Sequence, residues 1–237
     1  MALYIVSVPI GHPGDITLRA VKTFEDADFL ICEEFKNGRK LLKQLNIEKE
    51  LFNLNEHNEE TGTEEIIQEL LKGKKAALFS DCGTPLFADP GSLLVKRCHE
   101  TGIKVIPIPG ASSLMAALVV AGVRLDQFHY AGFLPRNTSD RRKEIRNLFG
   151  FNCPVIIYDA PYRLSALITD LKAELPGVRQ VTLALSLTKP DEKVLFGTMG
   201  DLVKMLGPKP PKKEFVMILH PQILKKSKKH VKTRKRR

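Results

Sequence analysis

Apolar residues run almost without interruption at positions 3–8, 29–32, 76–80 and 103–106, the pattern of strands buried on both faces. Between them the apolar positions recur every three or four residues. Ile16, Ala20, Val21 and Phe24 predict a helix capped by Asp15, and further helices are expected at 40–45, 64–71 and 93–100. Strands alternating with helices define a mainly parallel sheet covered on both faces. The pattern changes after Pro107-Ile108-Pro109-Gly110. Strands are predicted at 128–133, 155–158, 181–187, 194–196 and 215–219, with helices at 113–121, 162–174 and 201–206. The runs at 181–187 and 194–196 are joined by the short turn Thr188-Lys189-Pro190-Asp191, which implies antiparallel pairing. The expected architecture is α/β with a parallel-sheet N-terminal domain (1–108), a mixed-sheet C-terminal domain (109–222) and a basic tail (223–237).

Composition agrees with a globular chain: 43% of the 237 residues are hydrophobic and 27% charged. The formal net charge of +10 is unevenly spread. Nine of the 37 Lys/Arg, Lys225, Lys226, Lys228, Lys229, Lys232, Arg234, Lys235, Arg236 and Arg237, lie in a terminal stretch without an acid, and the remaining 28 nearly balance 27 Asp/Glu. Clustered cations gain from counterion release along a polyanion, so the tail reads as a phosphate-binding arm; a purely solubilising tail is the alternative. The weakly polar run 111–123 is too short for a membrane span, and the N-terminus lacks a basic region ahead of its apolar stretch. A cytoplasmic protein without membrane attachment is therefore expected. Cys32, Cys82, Cys98 and Cys153 are far apart, with no C-x-x-C pair, and the six histidines form no H-x-x-x-H pair, so no metal site is expected.

Three Gly/Pro-rich loops follow predicted strands, at 9–15, 81–91 and 107–113. Ligands in open α/β sheets bind beyond the carboxyl ends of strands, so three such loops point to a shared pocket. Gly11 and Gly14, with Glu33 or Glu34 about 20 residues on, invite comparison with a dinucleotide fingerprint. Pro9 stands where its first glycine belongs, and Pro9 and Pro13 lack the N–H donors that a pyrophosphate needs, which disfavours that reading.

The loops themselves resemble a known family. Val8-Pro9-Ile10-Gly11-His12-Pro13-Gly14-Asp15 is similar to the opening of the bacterial 16S rRNA cytidine 2′-O-methyltransferases, which belong to the tetrapyrrole methylase superfamily of S-adenosylmethionine enzymes. Residues 80–91 match that family's S-D-A-G-T-P-L-x-x-D-P-G loop, with Cys82 in place of alanine. Ile106-Pro107-Ile108-Pro109-Gly110-Ala111-Ser112-Ser113 and Gly132-Phe133-Leu134-Pro135-Arg136 match two further motifs. Over roughly residues 3–220 the order of motifs is retained. On the acceptor side the sequence departs: A-E-D-T-R becomes Cys32-Glu33-Glu34-Phe35-Lys36, Y-E-S-P-H-R becomes Tyr158-Asp159-Ala160-Pro161-Tyr162-Arg163, and R-E-L-T-K becomes Leu185-Ser186-Leu187-Thr188-Lys189.

The resemblance implies the two-domain tetrapyrrole methylase fold, a homodimer, and S-adenosylmethionine held between the domains. By position, Pro13, Asp81, Cys82, Gly83, Thr84 and Leu86 would meet the cofactor from one side, and Ser112, Ser113, Asp159 and Leu187 from the other. Ser112 could equally cap its helix and Asp159 precede the next. The expected partner is 16S rRNA or the small ribosomal subunit. Transfer to a ribose hydroxyl requires a proton acceptor, and Glu33 and Asp81 are the candidates. Arg19, Arg39, Arg136 and Arg163, with Lys225, Lys226, Lys228, Lys229, Arg234 and Arg236, are the candidates for phosphate contact. Two rival readings stay open: a methylase acting on a tetrapyrrole or other small molecule, and a catalytically silent RNA-binding relative.

Overall fold

A computed structural model describes residues 1–87, 89–175 and 177–221. The basic tail and its candidate phosphate contacts, Lys225, Lys226, Lys228, Lys229, Arg234 and Arg236, lie outside the described residues.

The first half contributes strands β1 (Ala2–Val6), β2 (Phe29–Cys32), β3 (Leu51–Asn53), β4 (Lys75–Phe79) and β5 (Lys104–Ile108). They form one sheet in the order β3-β2-β4-β1-β5, and every pairing is parallel. Helices α1 (Leu18–Asp26) and α2 (Phe35–Gln44) cover one face, where Ala20, Phe24 and Leu42 pack on Val6, Leu30, Phe79 and Ile108. Helices α3 (Glu59–Leu71) and α4 (Ser92–Glu100) cover the other, with Ile66, Ile67, Leu70 and Leu94 against Leu3, Phe29, Ile31 and Leu78. Burial on both faces is why these strands read as unbroken apolar runs. Pro107, which cannot donate to a ladder, is tolerated because β5 is an edge strand.

The second half contributes β6 (His129–Phe133), β7 (Val155–Asp159), β8 (Gln180–Leu185), β9 (Lys193–Thr198) and β10 (Phe215–Leu219). Their order is β6-β7-β10-β8-β9; β6 and β7 are parallel and the other pairs antiparallel, so this sheet is mixed as expected. One face packs against α5 (Ser113–Val120), the other against α6 (Thr138–Asn147), α7 (Leu164–Glu174) and α8 (Met199–Leu206).

Several expectations are corrected. Asp15 does not cap α1: it closes a 3-10 turn at Pro13–Asp15, and Thr17 caps the helix by accepting from the Ala20 N–H at 3.0 Å. Helix α2 begins at Phe35 rather than at 40; after Phe35 the run Lys36-Asn37-Gly38-Arg39-Lys40 is polar and hides the apolar spacing used to find helices. Helix α7 starts at Leu164, after a 3-10 turn at Pro161–Arg163. Strand β3 and helix α6 escape the pattern altogether. β3 has three half-buried residues, too few to show a period. α6 (TSDRRKEIRN) is almost wholly polar and is held by a cap and an ion-pair network.

Asn137 Oδ1 caps α6 by accepting from the Ser139 N–H at 2.8 Å. The buried Asp170 carboxylate on α7 accepts from Arg141 Nε at 2.7 Å and from Arg142 Nε at 2.7 Å, with 3% of its side chain exposed. Removing one partner of a buried pair leaves the other charge without compensation. Asp170→Ala is therefore expected to destabilise the fold by about 3–5 kcal/mol, read from the urea midpoint. An unchanged midpoint would show that the network does not hold α6.

Candidate active site

The three loops meet, and one hydroxyl fastens them. Thr84 Oγ1 donates to the Ala111 carbonyl at 3.0 Å and lies 2.9 Å from Ser7 Oγ. A hydroxyl has one hydrogen, so Ser7 is the donor in the second bond. Thr84 thus links the end of β1, the loop after β4 and the loop after β5. Backbone bonds run alongside: the Val8 N–H donates to the Gly83 carbonyl at 2.9 Å, and the Ser7 N–H to the Ile108 carbonyl at 3.2 Å. Gly83 is left-handed (φ 81°), a conformation that glycine adopts without strain.

A fourth segment, following β8, closes the junction from the second sheet. The His12 N–H donates to Thr188 Oγ1 at 2.9 Å. Gly11 lies so close that a Cβ there would fall 2.8 Å from the Leu187 carbonyl and 2.7 Å from Lys189 Cγ. Leu86, Ser186 and Thr188 are left-handed at φ 75°, 51° and 63°. Non-glycine residues take this conformation only where their surroundings impose it, and such positions concentrate at ligand sites.

Pro13, Gly14, Asn37, Lys40, Asp81 and Lys189 line a cavity of about 570 Å³ between these loops and α2. Asp81 accepts from Asn37 Nδ2 at 2.5 Å at its edge. Cys82 Sγ–H points at the Ile10 carbonyl at 3.6 Å, and burial pushes its thiol pKa up. Burial pushes the Glu33 carboxyl up to about 7, helped by the negative Asp89, Asp81, Glu56 and Glu34. Asp89 is also raised, chiefly by burial. Glu33 and Asp89 thus lie within reach of the Asp81 charge, while Lys40 and Lys189 line the cavity itself.

From the second half, Ser113 Oγ lies 2.7 Å from the Tyr158 hydroxyl, whose pKa burial pushes up to about 12. Tyr158 packs edge-on against Tyr130, which meets Phe87 of the loop after β4. The Tyr130 hydroxyl and Asp159 Oδ2 are buried without a partner among the described residues. The other Asp159 oxygen accepts from the Ala160 N–H at 2.8 Å and pairs with Arg163 at 3.1 Å.

Pro13, Asp81, Cys82, Gly83 and Thr84 thus lie together, with Leu187 across from Gly11. Ser112 caps α5 through a long bond from the Met115 N–H at 3.5 Å. The half-buried Leu86 side chain packs against the first sheet's core. Arg19 and Arg136 are exposed, and Arg39 lies over the Phe35 ring at 5.4 Å. Arg163 differs from these: it donates to the Leu134 and Pro135 carbonyls and pairs with Asp159, with 12% of its side chain exposed. Its contacts describe a brace for the turn at 134–136 rather than a phosphate ligand. Sequence reasoning missed Asn37, Asp89, Tyr130 and Thr188. Asp89 was legible in the loop motif; the other three join only through the fold.

This arrangement of two sheets and converging loops is that of a methylase. Residues 2–203 match the family Tetrapyrrole (Corrin/Porphyrin) Methylases, and the chain belongs to it. Its curated relatives are narrower in kind. It is 38% identical over 217 residues to Ribosomal RNA small subunit methyltransferase I of Synechocystis sp., covering 92% of this chain and 78% of that one. It is 37% identical to the protein of the same name from Pasteurella multocida, covering 92% and 77%. Solved structures share the fold at lower identity. Diphthine synthase has a TM-score of 0.73 at 17% identity, covering 93% of this chain and 90% of the other. Uroporphyrin-III-C-methyltransferase from Thermus thermophilus has a TM-score of 0.60 at 20%, covering 92% and 94%.

Proposed function

We propose that this methyltransferase moves a methyl group from S-adenosylmethionine to the 2′-hydroxyl of a cytidine ribose in 16S rRNA, in the cytoplasm. The observation that carries the reading is the junction fastened by Thr84, taken with the rRNA methyltransferase names of its relatives. S-adenosylmethionine fits it: the buried Tyr130 hydroxyl, without a partner among the described residues, asks for one, and the Asp81 carboxylate lining the cavity suits a cationic sulfonium. Asp81, Cys82, Gly83, Thr84, Ser112, Ser113, Asp159 and the Leu187 backbone would hold it. When bound, it supplies a methyl carbon that a nucleophile attacks in line with the departing thioether.

The rest belongs to the chain. The loops align acceptor and donor, a form of catalysis that can supply on the order of 7–11 kcal/mol. The Glu33 carboxylate would take the proton of the attacking 2′-hydroxyl. Glu33 suits this task better than Asp81, because its raised pKa sits near the working pH. Arg19 and Arg136 hold phosphates near the cleft, and the tail 225–237 adds affinity without sequence preference.

A second copy of the chain is part of the proposal. Helix α5 is apolar all round, and Met115 and Val119 are 52% and 70% exposed, a face that a dimer would cover. Among the described residues no helix is long and apolar enough to cross a membrane.

Incubation with labelled S-adenosylmethionine and 30S subunits from a methylation-deficient strain tests the acceptor. Label in RNA is expected, and RNA left unlabelled rejects it. Deleting 225–237 is expected to weaken RNA binding and flatten its salt dependence while cofactor affinity holds. An unchanged salt slope assigns the tail to solubility.

A further inference from the structure

Helix α2 carries four cations and no acid. Lys36, Arg39, Lys40 and Lys43 sit three, four and seven residues apart, on one exposed side. None of them forms an ion pair among the described residues, whereas Lys22 on α1 pairs with Asp26, Lys96 on α4 with Glu100, and Arg142 on α6 with Asp170. Like charges at this spacing repel, and Lys36 in the first turn also opposes the helix dipole. The stripe therefore costs helix stability, offset in part by Arg39 over the Phe35 ring and by Lys43 in the last turn.

Two features say what it faces. A groove of about 930 Å³ runs between α2 and β3, with Phe35, Arg39 and Lys43 on the helix side. Its other lining includes Glu48, Lys49 and Glu50; Lys49 is turned to the Ala27 carbonyl, and the two glutamates would keep a phosphate on the helix side. Phe35, over whose ring Arg39 lies, offers an aromatic face 38% exposed. A cationic edge beside an aromatic surface is how sequence-tolerant sites hold single-stranded nucleic acid. The stripe lies between this groove and the chemistry: Arg39 and Lys43 line the groove on one side of α2, while Lys40 lines the cavity on the other, where Asn37 bonds to Asp81.

We propose that the cationic side of α2, with the groove beside it, holds the phosphodiester backbone of the single-stranded RNA segment flanking the acceptor nucleotide and leads it into the cleft. This rests on the reading of the acceptor as RNA. It extends a contact expected at Arg39 alone to a rail that includes Lys36, Lys40 and Lys43.

The test is the full-length triple variant K36Q/R39Q/K43Q, with Lys40 kept because it lines the cavity. A control of equal charge, K104Q/K172Q/K204Q, removes exposed lysines from other elements. In the rail variant the KM for 30S subunits should rise about tenfold or more, with kcat and calorimetric S-adenosylmethionine affinity within twofold of wild type. The slope of log affinity against log salt should fall by about two, near 0.7 for each single-strand phosphate that is no longer neutralised. The thermal midpoint should hold or rise as repulsion is relieved. A rail variant that matches the wild type in KM and slope, or a control that weakens binding as much, overturns the rail. A wild type that labels no RNA defeats the acceptor reading and takes the rail with it.

Discussion

Gly11→Val is expected to lower kcat/KM by at least about 100-fold while leaving the secondary structure intact, since misplacement of a site by about 1 Å has effects of that size. The reason is local. A Cβ at position 11 would lie 2.7 Å from Thr188 Oγ1 and 2.8 Å from the Leu187 carbonyl, and a backbone oxygen cannot swing away as a side chain can. The substitution drives a wedge between the first loop and the segment after β8, where His12 and Thr188 now meet at 2.9 Å. Both sheets keep their own cores, so far-UV circular dichroism should be unchanged. Calorimetry should show the affinity for S-adenosylmethionine falling with the activity. A variant that keeps wild-type affinity and turnover would mean that the two halves do not have to meet for function.

Glu33→Gln is expected to reduce kcat by about 10²–10⁴-fold, the range a positioned general base contributes. The pH profile separates a proton acceptor from a merely structural residue. With its carboxyl near 7, the wild type should gain activity as pH rises from 6 to 8, as the basic form appears. The variant should lose that limb. Stability runs the opposite way. A carboxyl raised from 4.5 in the folded state favours folding below the lower value, and that contribution fades as pH rises through the upper one. Glu33→Gln should therefore melt at a higher temperature than wild type at pH 8, and the two should converge near pH 4. A residue tuned for chemistry at the expense of stability behaves in this way. Retention of the wild-type pH profile in the variant would remove Glu33 from the mechanism.

The strands and their grouping into a parallel and a mixed sheet were legible because burial on both faces writes continuous apolar runs such as 29–32 and 76–80. The loops were legible because their glycines and prolines serve backbone geometry that few other residues can supply. Helix α6 was not, because its stability comes from the Asn137 cap and from Asp170, a partner 28 and 29 residues away from Arg142 and Arg141. The site divided along the same line. Asp81 to Thr84 act within one loop and show in its motif. Asn37, Tyr130 and Thr188 follow or lie on β2 of the first sheet and β6 and β8 of the second, strands that are not neighbours, and a linear sequence holds no sign of their coming together. Arg163 looked like a phosphate ligand by type alone; its neighbours Asp159, Leu134 and Pro135 use its donors inside the domain.

Everything proposed for this chain depends on a single methyl-donor site built by loops from both halves. A crystal structure with S-adenosylhomocysteine tests that directly. Density for the ligand is expected at the junction, touching the 81–84 loop from one side and Ser112, Ser113 or Asp159 from the other. Density confined to one half, or absent at saturating ligand, would contradict it.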